Sequence, residues 1–301
     1  KNKLNNLENL ENEKSNLRSN LNMFEKDLIK EAQDLEVLHM DLVTDVNRGY
    51  YVVENDIDAT DYEHPCQARV TGDSFKNYGD VGFLGTLDGQ GHTISNITLN
   101  RGGLIGNIGV GGTVRNLGIK NIQWGKTPDP TITGDKWADE RTGLASYING
   151  AVVENIYVQA DTVVDMTGCG LFATNAMLNC IIRNILTITP DEGGFTRSNN
   201  NGFGSLFSMC GERSSLPVKS ETYLKDTYCV STIPMTRQPS YYIDSITYED
   251  GKSLSKFTYP NAKHFFTEAD MKAAGNDYSN FNKSMWTVSG GMLYFTSAMD
   301  K

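Results

Sequence analysis

The stretch 123–143, QWGKTPDPTITGDKWADERTG, holds the residues best suited to contact a ligand. Trp124 and Trp137 stand on either side of Asp135, and Asp139, Glu140 and Arg141 follow at once. Indole faces stack on the C–H faces of sugars while carboxylates and a guanidinium take the hydroxyls, so this set suits a glycan. Two further stretches add candidates. SMCGERSSLPVKSE brings Glu212 and Arg213, and MTRQPSYYIDS brings Arg237, Tyr241 and Tyr242. A tryptophan beside a periodic segment also serves as a plug over a core edge, so Trp124 and Trp137 carry a structural reading next to the binding one.

Cleavage of a polysaccharide would need two carboxylates flanking a glycosidic bond, or a base with a charge-neutralising partner. Asp135, Asp139, Glu140, Asp161, Asp165 and Glu212 are available, and no spacing selects a pair. His39, His64, His92 and His264 stand far apart and form no metalloprotease pattern. Cys66, Cys169, Cys180, Cys210 and Cys229 contain no CxxC, and their odd number argues for reduced, buried thiols over a disulfide framework. An acidic calcium loop with Gly at its sixth place is also missing. The sequence therefore nominates no catalytic residue, metal ligand or cofactor, and binding is expected ahead of catalysis.

The elements that must carry these loops form a repeat. TISNITL (ending at Leu99), TVRNLGI (Ile119), VVENIYV (Val158), IIRNILTI (Ile188) and a degenerate YLKDTYCV (Val230) each read as a strand with an amide or acid at a fixed point. Between them recur Gly103-Leu104-Ile105-Gly106, Gly143-Leu144-Ala145, Gly170-Leu171-Phe172 and Gly204-Ser205-Leu206-Phe207. Self-similarity at this spacing predicts a solenoid whose courses bury their apolar faces against one another. Asn116, Asn155 and Asn184 share one phase and are expected to hydrogen-bond along the stack. The competing readings of GQGHTISNI fail, because Thr93, Ile94, Ile97, Thr98 and Leu99 continue it as strand rather than helix, and no Gly-Lys-Ser/Thr follows.

Upstream, Leu7, Leu10, Lys14, Leu17, Leu21, Phe24, Leu28, Glu31, Leu35, Leu38 and Leu42 alternate at spacings of three and four, apolar except at Lys14 and Glu31. A narrow seam of period 3.5 predicts a coiled coil and hence self-association, with a trimer expected and the strand number not fixed by the leucines. The seam stops before Gly49 and the β-favouring Tyr50–Val53. Of the 301 residues, 27 are Lys or Arg and 37 Asp or Glu, giving a net charge of -10 with the bases scattered. That distribution argues against a nucleic-acid partner. No run reaches the roughly 18 apolar residues of a membrane span, and no basic-then-apolar leader opens the chain. Its first residues, KNKLNN, carry no Met and read as a fragment or processed product.

FLGTLDGQGHTISNI, with GGLIGNI and GGLASYI, resembles the GLUG-type repeat of bacterial surface adhesins and related right-handed β-helix proteins. FFTEADMKAAGNDYSNFNKSMWTVSGGMLYF resembles the segment that closes such modules, and together the likeness spans most of 75–295, with Gly103–Gly106 matching the four-residue core in full. Seam, repeat and resemblance together predict a mainly β fold: a coiled-coil stalk (1–47), a right-handed β-solenoid (48–260) and a small α+β cap (261–301) over its open end, with Trp286 and Phe295 in the cap's core. A stalk feeding such a head resembles bacteriophage tail or head fibres and receptor-binding proteins. That likeness implies a virion protein attaching to a bacterial surface polysaccharide through Trp124, Trp137, Asp135, Asp139, Glu140, Arg141, Tyr241 and Tyr242, with other virion proteins as further partners. A depolymerase on the same scaffold and a bacterial cell-surface adhesin are the alternatives.

Overall fold

A computed structural model describes residues 26–68, 79–125, 141–161, 163–164, 170–177, 180–189, 195–196, 206–210, 223–232, 236–239 and 262–299. The chain is mainly β, and its large sheets are parallel. The first sheet runs in the order β1 (Lys26–Ile29), β3 (Tyr50–Val53), β7 (Thr86–Ser95), β10 (Thr113–Lys120), β13 (Val152–Gln159), β16 (Ile181–Ile188), β19 (Tyr223–Val230) and β21 (Ala262–Phe265), with β4 (Ile57–Asp58) also paired to β7. The second runs β2 (Val46–Asn47), β6 (Gly82–Phe83), β9 (Ile105–Ile108), β12 (Ala145–Asn149), β15 (Ala173–Met177), β18 (Phe207–Cys210) and β20 (Thr236–Pro239). A third joins β11 (Gln123–Trp124), β8 (Thr98–Leu99) and β5 (Glu63–His64). The sheets take strands alternately along the chain, so each segment of a few tens of residues adds a course to the stack.

Side-chain alternation sets what lies between the sheets. Tyr51, Leu87, Val114, Val153, Ile182 and Leu224 sit opposite one another across the first sheet, and all are buried. Leu117, Ile156 and Ile185 form a second buried row, and Ile94, Ile119 and Val158 a third. From the second sheet Ile105, Ala145, Ala173 and Phe207 meet them in one continuous core. Each fully buried Leu, Ile or Val contributes about 1.5–3 kcal/mol, and each does so only because the neighbouring course covers it. The Gly-Leu phrases start the strands of the second sheet as the repeat predicts. Leu104 N donates to Gly143 O (3.2 Å) and Gly143 N to Leu171 O (2.8 Å). Gly103 has φ +71 and a Cβ there would lie 2.7 Å from Thr142 O, so this corner admits only glycine.

One register differs from the sequence reading. TVRNLGI (113–119) stacks on Thr86–Ile94, which takes in only the first two residues of TISNITL (93–99), because Thr113 pairs with Thr86 and Ile119 with Ile94. The strand β7 carries two extra residues at the bend, where Asp88 opposes Arg115 and His92 opposes Leu117. Asn96 of TISNITL belongs to another corner, accepting from Asn121 Nδ2 (3.1 Å) and donating to Asp58 Oδ1 (3.0 Å).

The expected stalk boundary at residue 47 is also corrected. Residues 1–25 lie outside the described residues, but Lys26–Ile29 form β1 and Ala32–Leu38 a 3-10 helix, both packed onto the β body. Leu35 and Leu38, two seam positions, are 0% and 2% exposed within the core. A seam leucine has no intrinsic preference for a partner helix over a sheet interior; the open end of the core is nearer in the chain and takes them.

The closing segment is correct in its parts and differs in its place. Thr267 caps a short helix, Glu268–Ala273, through a reciprocal capping box with Asp270, and a hairpin of β22 (Trp286–Ser289) and β23 (Met292–Phe295) follows. Trp286 and Phe295 are buried, as expected. They pack on the flank of the first sheet, however, not over its end. Tyr157, Leu186 and Tyr228, outward-facing in one row, form a second core with Met271, Phe281, Trp286, Met292, Leu293 and Phe295. Phe295 stacks on Tyr157 at 6.1 Å and meets Trp286 edge-on at 4.9 Å. Gly118 continues the row, and a Cβ there would come 2.9 Å from the Phe295 ring. An apolar outer row needs cover, and this module supplies it.

Candidate functional site

The corners fix the outer surface of the stack. Val153 and Ile156 are both buried although residues three apart in an extended strand face opposite ways. Asn155 between them has φ 54, and Asn116, Asn184 and Asp226 repeat this left-handed conformation at φ 59, 57 and 48. Asn and Asp tolerate it better than other residues with a side chain, which is why the phrase carries them here. Asn155 Nδ2 donates to Asn116 Oδ1 (3.0 Å), Asn184 Nδ2 to Asn155 Oδ1 (3.0 Å), and Asn116 Nδ2 to Asp88 Oδ1 (2.9 Å). The expected ladder is present. Asp88 also accepts from Arg115 Nε (3.0 Å) and Gln90 N (3.0 Å), closing one end. At the other end Asn184 Oδ1 is buried without a hydrogen-bond partner, because the next course offers Asp226, whose carboxylate accepts from Asn280 Nδ2 (3.0 Å) and has no proton to give. Beside the ladder, Glu154 pairs with Arg183 (2.6 Å), so these charges are spent on the wall itself.

A groove of about 560 Å³ opens between the wall and the flanking module. Gln159, Asp161, Ile188, Thr189 and Val230 line its wall side, and Thr267, Glu268 and Ala269 the module side. Ile188 and Val230 give an apolar floor. Tyr157 Oη holds Gln159 Oε1 (2.5 Å), Thr189 Oγ1 donates to Ser231 Oγ, and Lys272 Nζ reaches Glu268 (3.2 Å). Hydrogen-bonding groups over an apolar floor, at a junction of two units, are suited to a polyhydroxylated ligand. The module also bears an apolar hollow lined by Tyr278, Phe281, Trp286 and Leu293, whose rings engage each other, Phe281 and Trp286 edge-on at 5.0 Å.

Of the binding residues nominated from the sequence, Trp124, Arg141 and the backbone of Arg237, in β20, are described. Trp124 lies in β11 opposite Leu99 and packs against the core, which is the plug reading. Arg141 is half-buried, next to the fully buried Thr142. Trp137, Asp135, Asp139, Glu140, Tyr241 and Tyr242 lie outside the described residues, as do Asp165, Glu212 and Arg213. Of the carboxylates, Asp161 is described and exposed at the groove. Reading the sequence missed Gln159, Thr189, Thr267 and Glu268. The phase of each was legible, but the groove exists only because the module folds back along the flank.

The histidines do not converge. His92 Nδ1 faces Asp56 Oδ1 (3.2 Å), and His39 Nε2 faces Cys66 O (3.0 Å). His64 is fully buried. Met40 N donates to Gln67 Oε1 (2.8 Å), so the Gln67 amide nitrogen faces both Leu104 O (3.0 Å) and His64 Nε2 (2.8 Å). His64 Nε2 also lies 3.0 Å from Leu104 O, and its Nδ1 lies 3.0 Å from Tyr62 Oη, so both ring nitrogens have a partner. Burial pushes the His64 pKa down to about 4 and that of the Tyr62 hydroxyl up to about 12. Cys180 and Cys229 are buried thiols outside any disulfide, and Cys66 is a half-buried one. Among the described residues no cluster of three or more His, Cys, Asp or Glu is placed to hold a metal, and no helix is long and apolar enough to cross a membrane.

No family model matches the chain, and no solved structure matches it. A stretch of 85 residues, 27% of this chain, is 36% identical to part of a protein named Halomucin from Haloquadratum walsbyi (strain DSM 16790 / HBSQ001). The chain spans 1% of that protein's length.

Proposed function

We propose that this chain is an attachment protein, a right-handed β-solenoid that binds a bacterial surface glycan as part of a bacteriophage fibre. Parallel strands joined by crossovers are right-handed in about 98% of cases, which supports the hand, and the strict register of successive courses supports the solenoid. The observation that carries the glycan reading is the groove beside the module, lined by the polar Gln159, Thr189 and Thr267 together with the apolar Ile188 and Val230. The wall around it is held by hydrogen bonds that leave little to rearrange, as suits a surface that must resist load.

The test is to mix the purified chain with polysaccharide extracted from candidate host cells and follow co-sedimentation together with polymer length. The expected result is binding with unchanged length, weakened at least tenfold by Ala269→Trp, which fills the groove from an exposed helical position. Binding untouched by Ala269→Trp but lost in Trp137→Ala would move the site to the 123–143 stretch. Shortening of the polymer would favour a depolymerase, a second reading that Asp161 and Glu268 support by lining the same groove from opposite sides. Localisation on the virion follows from the fibre reading, and a host-cell surface from the adhesin alternative.

A further inference from the structure

Asp88 and Glu154, on the outer face of the wall, are each matched by a base of the adjacent course, Arg115 (3.0 Å) and Arg183. The acids at the groove are not neutralised in this way. Asp161 is exposed there and has no ion pair among the described residues. Glu268, across from it on the module, meets Lys272 (3.2 Å) one helical turn away, an open surface pair that water screens. Asp270 adds a further carboxylate to the start of the helix Glu268–Ala273, where it accepts from Thr267 N (3.1 Å) and Thr267 Oγ1 (3.0 Å). The helix start is thereby supplied with negative charge of its own, which offsets its positive dipole end. No Lys, Arg or His stands among the described residues that line the groove. The stretches 159–165 and 188–196, to which the wall-side residues Gln159, Asp161, Ile188 and Thr189 belong, likewise contain four acids and no Lys, Arg or His.

We propose, resting on the glycan reading of this groove, that it selects sugars bearing a free amine, the unacetylated hexosamines, over neutral and acidic ones. The groove's wall side is a firm edge, since Ala160 N donates to Ile188 O (3.2 Å) and Thr189 N to Val230 O (3.0 Å) where successive courses leave the first sheet. Its hydrogen-bonding groups are partly committed. Thr189 Oγ1 donates to Ser231 Oγ, and Gln159 Oε1 accepts from Tyr157 Oη, which leaves the Gln159 amide nitrogen to donate to a sugar oxygen. The carboxylates of Asp161 and Glu268 can only accept, so the ligand must bring the donors. An ammonium brings three together with a charge, and charge-assisted hydrogen bonds are roughly twice as strong as neutral ones. An N-acetyl group removes that charge, and a uronic acid would set a third carboxylate against the two already present. Ile188 and Val230 are left for the C–H face of the ring.

The test is calorimetric titration of the full chain, at mildly acid pH where the amine is charged, with a glucosamine oligomer, its N-acetylated counterpart and a galacturonic acid oligomer of the same length. The expected result is that the glucosamine oligomer binds at least tenfold more tightly than the other two, with an affinity that falls as salt is added. Asp161→Asn and Glu268→Gln, which keep the shape of the groove, should each erase most of that preference, and Ala269→Trp should abolish binding. Equal affinity for the amine and its N-acetylated form, lost in Ala269→Trp, overturns the charge selection and leaves the groove as a glycan site. Tighter binding of the galacturonic acid oligomer, or an amine preference that survives both carboxylate substitutions, overturns it as well. If none of the three oligomers binds, the proposal also fails, and co-sedimentation with host polysaccharide then decides the glycan reading by itself.

Discussion

The stacked wall, built of parallel strands, and the flanking module, built of a helix and an antiparallel hairpin, are held by opposite means. In the wall, Asn116, Asn155 and Asn184 fix the corner of each course by directed hydrogen bonds, and a shift of one residue would break every bond at once. The module meets that wall through rings, Phe295 on Tyr157 and Phe281 on Tyr228 at 5.8 Å, with side-chain hydrogen bonds around their edges. Lys120 Nζ to Ala298 O (2.9 Å) and Ser297 Oγ to Gly91 O (2.6 Å) pin one end of it. The wall is specified by register and the module by burial, so the two should fail differently.

Phe295→Ala should show the largest effect. Loss of a buried ring that touches both units costs about 3–5 kcal/mol, and Trp286 fluorescence should report the module loosening at lower urea than the wall's far-ultraviolet signal. Coincident transitions would mean that the two units unfold as one. Acid should act on the wall instead. His64 holds a folded pKa of about 4 against its ordinary 6.5, so the unfolded chain takes up the proton first. Its contribution is complete above pH 6.5 and is lost as pH falls toward 4, in total roughly 3 kcal/mol. His64→Gln should flatten the wild-type slope between those values by a corresponding amount; parallel slopes would assign the acid sensitivity to other groups.

Asn155→Ala should cost about 2–4 kcal/mol, combining two ladder bonds with a left-handed Ala, and Asn155→Gly less because glycine accepts that conformation. Equal melting temperatures for Ala and Gly would show that backbone strain is not part of the loss. The smallest change runs the other way. Asp226→Asn supplies the missing donor to Asn184 Oδ1 and keeps an acceptor for Asn280, so it should stabilise the wall by about 1 kcal/mol. A lower melting temperature would indicate that the carboxylate's bond to Asn280 outweighs the completed ladder.

The courses and the Asn ladder were legible in the chain because their chemistry is local. A left-handed corner needs Asn, Asp or Gly at one phase, and alternation on either side of it marks the buried face. The misplacement of TISNITL has a physical origin too. Asn96 and Asn116 both sit at left-handed corners, and only the two extra residues of β7 reveal that they are different corners. The seam from Leu7 to Leu42 shows the same ambiguity, since periodic leucines state that a face will be buried without stating against what.

The amino-acid sequence by itself determined that this chain would stack parallel strands, where its corners would fall, and which aromatic residues of the last segment would be buried. Only the tertiary structure decided that this segment lies along the flank, that Leu35 and Leu38 plug the first course, and that Asp161 and Glu268 face one groove. Conformational preference and alternation act between neighbours in the chain and can be read there. The choice of which apolar surfaces meet is made between segments that are not neighbours in the chain, where apolar contact carries no directional code and the available geometry settles the pairing.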